Sequence, residues 1–245
     1  MMNSISGMAP SVRSAEPFRL RRLRQLIVTL VMFGVLILAG RWAPGWLTFL
    51  LTMAAGNGLV SLGIQALMRG GLVSFGQGMV FAIGGYGASL LFVRAGWTDA
   101  LGLALAGGAL AVLLAAPFAP LLARYRGIFF ATLTLALSMV VYGLLVKWPA
   151  VGGSDGMTIA RPSLFGQRLE GSDGNYALFV LTASIALAMG LAMKTYFASS
   201  RGLVALAVRD NELRVEYLGA SVRRVMALNF LLAAFCGGVG GALVT

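Results

Sequence analysis

Apolar residues lie along this chain in long runs separated by short charged or Gly- and Pro-containing breaks. Such runs cover residues 26–40, 46–68, 100–122, 128–146 and 176–193, with another ending near Phe92 and a last one starting near Val225. Most approach the roughly 20 residues that carry a helix across a hydrocarbon core of about 30 Å. The pattern predicts an all-α, polytopic integral membrane protein. It has about six complete transmembrane helices, a partial seventh, and one Gly-rich broken segment. The expected organisation is a basic arm over residues 1–25 and a membrane domain over 26–245.

The broken segment is residues 70–88, GGLVSFGQGMVFAIGGYGA, with seven glycines and with Ser74 and Gln77 among apolar neighbours. It is too apolar for solvent and too rich in Gly for one regular helix. A re-entrant turn beside a polar path is one reading, since irregular backbone survives in a membrane only under cover of protein or a water-filled cavity. Close helix packing through small residues is the other. Asn57, Thr132 and Thr134 place further polar groups within apolar runs. Hydroxyls there either bond back to the preceding turn or line a path. Pro117 and Pro120 are expected to kink the fourth span or end it early.

One break is long and charged. Residues 195–224 hold Arg201, Arg209, Arg214, Arg223 and Arg224 beside Asp210, Glu212 and Glu216. Its middle reads as a short helix capped by Ser199 or Ser200 and ended by Gly219. Leu203, Leu206, Leu213 and Tyr217 fall roughly on one side of it. Asp210 and Arg214 stand in the favourable four-residue order, whereas Glu212 and Glu216 repel. A docking surface and an ordinary solvated loop helix both fit this pattern.

Composition narrows the chemistry. The chain is 59% hydrophobic and 11% charged, less than half the charge of ordinary soluble domains. Its formal charge of +11 would suggest nucleic acid in a soluble protein. Here the basic residues sit between spans, where membrane orientation and lipid contact explain them and no nucleic acid is expected. With no His and the single Cys236, neither a disulfide within the chain nor a Cys-based metal site is available. With the amino terminus inside, only Arg41, Arg94, Lys147, Arg161 and Arg168 of the 19 basic residues fall outside. That bias makes the amino terminus and the 195–224 segment cytoplasmic. The arm at 1–25 lacks a signal-peptide cleavage pattern. It reads as a disordered cytoplasmic arm, with an organelle transit peptide as the alternative. In the outer loop at 150–174, Asp155 is either a gate or docking residue or part of a solvated turn.

No Asp, Glu, Lys or Arg falls inside an expected span, which argues against proton or sodium coupling. No G-x-x-x-x-G-K-[ST] is present, so the chain lacks a P-loop of its own. A membrane enzyme would need clustered nucleophile and base groups, which the scattered acids and absent His do not supply. A secondary transporter or channel, or a scaffold, stay open on the residues alone.

The run AVRDNELRVEYLGASVRRVMALNF, the segment RYRGIFFATLTLALSMVVYGLL, the G-L-x-S-x-G at Gly71 to Gly76 and the GGSDG at 152–156 resemble LivM-type permeases of branched-chain amino-acid ABC importers. Glu216 and Gly219 match the spacing of the importers' cytoplasmic EAA loop, although Tyr217 and Leu218 replace its alanines. Gln77 stands where the family usually has His. The resemblance covers about residues 45–245, and the family pattern continues further, so it implies a carboxyl-terminally truncated member or a fragment. It implies an inner-membrane permease for leucine, isoleucine or valine. Related branches move urea, short amides or aromatic acids. The implied partners are a LivH-type permease, two ATPase subunits that bind the ATP, and a periplasmic substrate-binding protein. The chain itself would carry no catalytic residue or cofactor. For coupling to the ATPase the expected residues are Arg209, Asp210, Glu212, Glu216 and Gly219. For the translocation path they are Asn57, Ser74, Gln77, Thr132 and Thr134.

Overall fold

The structure, a computed structural model, describes residues 18–153, 156–157, 159–160, 162–164 and 171–245. Most of the amino-terminal arm, together with Asp155, Arg161 and Arg168, lies outside the described residues. The chain divides into two units, Met1–Trp42 and Ala43–Thr245. The first holds α1, Phe18–Trp42, so the helix begins inside the expected arm and only its Ile27–Trp42 part is apolar.

The second unit is entirely helical among the described residues apart from turns and one isolated bridge between Asp99 and Ser163. Its elements are α2 (Gly45–Arg69), α3 (Gln77–Ala95), α4 (Ala100–Ala115), α5 (Ala119–Leu122), α6 (Gly127–Lys147), α7 (Gly171–Ala198), α8 (Ser200–Asp210), α9 (Glu212–Tyr217) and α10 (Val222–Val244). Five helices are long and apolar enough to cross a membrane: α2, α3, α6, the Asp173–Ala198 part of α7, and α10. α4 is shorter, because the chain turns at 116–118 around Pro117 before α5 resumes. Asp99 caps α4, its Oδ2 accepting from the Gly102 amide at 3.0 Å.

Two expectations change here. The last helix is already long enough to cross a membrane: α10 has 23 residues and is the hub of the bundle, touching α2, α3 and α4. The broken segment is also narrower than 70–88. Only 70–76 leave the helical path, and α3 is regular from Gln77 onward.

The glycines explain the hub. In lipid, apolar side chains gain little by meeting each other, so helices associate through close packing and hydrogen bonds. Gly84 of α3 lies against the Gly238 backbone of α10, and a methyl group at Gly84 would collide with it. Gly107 and Gly108 of α4 meet the same stretch of α10, and Gly63 of α2 meets Ala233. The glycines of 84–87 therefore serve helix packing. At the other end of α10, Phe130 stacks edge-on against Phe230 with ring centroids 6.5 Å apart. The Asn229 Oδ1 accepts from the Tyr196 hydroxyl of α7.

Candidate functional site

The charged segment forms two helices where one was expected. The Ser199 Oγ accepts from the Gly202 amide at 3.4 Å and starts α8. The backbone then extends at Asn211, whose Oδ1 accepts from the Arg214 amide at 3.0 Å and starts α9. Asp210 and Arg214 therefore lie on different helices and lose their four-residue pairing. Gly219, with φ of 82°, ends the segment in the left-handed conformation expected of it. Asn211 was a legible signal, because an amide side chain before an acidic first turn favours a new helix start.

This pair of helices is rooted in the bundle. Gly202, Ala205 and Val208 of α8 and Val215 of α9 are buried. Val208, Val215 and Val222 share one core with Leu67, Leu72 and Met226. The packed side is thus the small residues and valines. Leu203, Leu213, Tyr217 and Leu218 face outward instead, Tyr217 at 89% exposure. Asp210 and Glu216 are exposed on the same two helices.

Two contacts tether the pair to the helix connections. The Arg126 Nη2 donates to the Glu212 Oε1 at 2.9 Å, joining the turn before α6 to α9. Arg126 also donates from Nη1 to the Ala123 and Tyr125 carbonyls, at 2.8 and 2.9 Å. Glu212 therefore spends its charge within the chain, unlike Glu216. No sequence signal links positions 86 residues apart, so Arg126 reads there only as part of a basic turn. The second contact is Arg209, whose side chain packs against Gly71, a glycine with φ of 74° in the 70–76 connection.

Of the expected path residues, Ser74, Gln77 and Thr134 come together around that connection and are buried. The Thr134 Oγ1 accepts from the Phe75 amide at 3.2 Å, and the Ser74 Oγ accepts from the Gly76 amide at 3.2 Å. The Gln77 Oε1 is buried beside Gly237 with no hydrogen-bond partner. Asn57 and Thr132 do not join the cluster. Both are exposed on outward helix faces, and both bond back to their own helix, Asn57 to the Met53 carbonyl and Thr132 to the Ile128 carbonyl. At the opposite end of the bundle a separate cavity of about 320 Å³ is lined by Thr52, Asn175 and Thr182 among apolar residues.

The family model for the permease component of branched-chain amino acid transport systems matches residues 46–245. The chain belongs to this family. It is a multi-pass membrane permease component and not an enzyme. As a component of a transport system it acts with partner subunits. No curated protein and no solved structure matches.

Proposed function

We propose that this chain is the LivM-type pore subunit of an ATP-driven importer of leucine, isoleucine and valine in the bacterial inner membrane. It pairs with a LivH-type permease above two ATPase subunits, and a periplasmic binding protein delivers the substrate. About six spans plus α10 cross the membrane, with the amino terminus cytoplasmic. The observation that carries this reading is the α8 and α9 pair. It stands outside the spans, is seated in the same core as α10, and turns Leu213, Tyr217 and Leu218 outward beside Asp210 and Glu216. An exposed apolar patch with acidic neighbours on a rigid support is what a docking subunit needs.

Movement of an ATPase against this patch passes to α10 through Val208, Val215 and Val222. Arg209, Asp210, Glu212, Glu216 and Gly219 act in coupling with distinct roles. Glu216 and Asp210 face the ATPase, Glu212 anchors α9 to Arg126, Arg209 braces α8 on the 70–76 connection, and Gly219 sets the exit from α9. Ser74, Gln77 and Thr134 supply a polar lining at that connection. Asn57 and Thr132 contribute from outward faces, where a second permease would meet them.

The test is binding-protein-dependent uptake of labelled leucine by the assembled transporter, with urea and an aromatic acid as competitors. Leucine uptake that needs the gene and resists both competitors is expected. Glu216→Lys is expected to lower uptake about tenfold or more while the ATPases still hydrolyse ATP and the chain still inserts. Normal uptake by that variant overturns the coupling role, and uptake lost to a competitor moves the substrate to another chemical class.

A further inference from the structure

Arg69 ends α2 with its guanidinium stacked over the Phe197 ring of α7, 4.5 Å from the centroid. Its Nη1 donates to the Phe197 carbonyl at 3.4 Å. The stack holds the planar group in place, and a guanidinium carries further N–H donors beyond that one. Arg69 also lines an open cavity of about 580 Å³ together with Gln65, Met68, Val73 and Arg209. A second lobe of about 360 Å³ shares Gln65, Arg69 and Phe197 with it and adds Lys194.

Neither lobe is lined by an Asp or Glu. Asp210 follows Arg209 on α8 but does not line the cavity. The guanidinium groups of Arg69 and Arg209 both line the first cavity, so its charged side favours an anion. Arginine forks suit the oxygen atoms of a phosphate. The apolar part of the rim restricts the anion further. Met68 is 53% exposed and Val73 50%, at the level where the apolar span of α2 gives way to the charged segment. A free anion leaves these side chains unmatched, whereas a molecule with an anionic head and acyl chains matches both halves.

We propose that this cleft seats the phosphate-bearing head group of an anionic phospholipid. Arg69 and Arg209 hold the phosphate, Gln65 offers an amide, and the acyl chains run along Met68 and Val73. Because Arg209 belongs to α8 and Arg69 to α2, the bound lipid bridges the α8 and α9 pair to the transmembrane bundle. The leaflet it occupies rests on the orientation proposed above; head-group recognition does not.

The test is native mass spectrometry of the detergent-purified full chain, with dioleoylphosphatidylglycerol, dioleoylphosphatidylcholine and inorganic phosphate as probes. The glycerol lipid is expected to be retained about tenfold better than the choline lipid of equal chain length. Arg69→Gln with Arg209→Gln is expected to abolish that preference, and Arg209→Gln alone to reduce it. Arg223→Gln with Arg224→Gln, the same loss of charge elsewhere, is expected to leave it intact. Circular dichroism of each variant separates lost binding from lost folding, and the exposed Arg209 keeps the test informative if the double variant fails to fold. Equal retention of both lipids overturns the proposal. So does equal loss in the Arg223 and Arg224 pair, or displacement of the lipid by inorganic phosphate at matched concentration. None of these outcomes depends on transport activity.

Discussion

Arg126 and Glu212 meet at a half-exposed position, with side-chain exposures of 28% and 41%. An ion pair with that much water around it contributes roughly 0.2–1 kcal/mol. Its consequence lies in where it acts, since it fixes α9 against the turn that starts α6. Glu212→Gln is expected to lower thermal stability by no more than that range. Arg126→Gln is expected to cost more, because it also releases the Ala123 and Tyr125 carbonyls. A double-mutant cycle measured by thermal unfolding in detergent checks the pair. A coupling energy of zero would mean that the contact does not tether α9. Glu216 differs from Glu212 only in what surrounds it: Glu212 is paired with Arg126, whereas Glu216 is exposed.

At the scale of elements, α10 is held by shape. The glycines at 237, 238, 240 and 241 leave a groove in α10 that α2, α3 and α4 enter at backbone distance. Gly238→Leu would drive a side chain into Ala111 and the backbone of α4. Overpacking of this kind costs typically 1–3 kcal/mol. The variant is expected to show a lowered unfolding temperature or aggregation on size-exclusion chromatography. Gly143→Ala on α6, with nothing within 4 Å of the added methyl group, is expected to behave as the parent. Equal behaviour of the two variants would show that α10 is not packed as described. The α8 and α9 pair follows a related logic. Gly202 and Ala205 bring α8 close to the bundle, so the large leucines turn outward and become available to a partner.

For the whole molecule the property to test is which way it faces. Tyr217 stands at one end of the bundle, on the charged segment, and Trp97 stands in the connection between α3 and α4. The native Cys236 is buried in the hub, so a cysteine introduced at either exposed site stands out against it. Tyr217→Cys is expected to react with a membrane-impermeant maleimide only after the membrane is inverted or opened. Trp97→Cys is expected to react from the periplasmic side. The reverse pattern would invert the topology and remove the α8 and α9 pair from the reach of a cytoplasmic ATPase.

The sequence by itself determined the all-helical membrane class, the charged segment, a cap at Ser199, the exit at Gly219 and the family. Each depends on the local order of residues: length of apolar run, turn chemistry, or a contiguous motif. It did not reveal that α10 is the hub or that Arg126 reaches Glu212, and it left open whether the 84–87 glycines serve packing or a re-entrant turn. Nor did it separate Gln77 and Thr134, which are buried, from Asn57 and Thr132, which face outward. The physical reason is the solvent. In a soluble protein the apolar face of a helix marks its inside. In a membrane both faces are apolar, so composition does not distinguish a neighbouring helix from lipid. Only the tertiary structure decided which small residues meet and which distant charges pair.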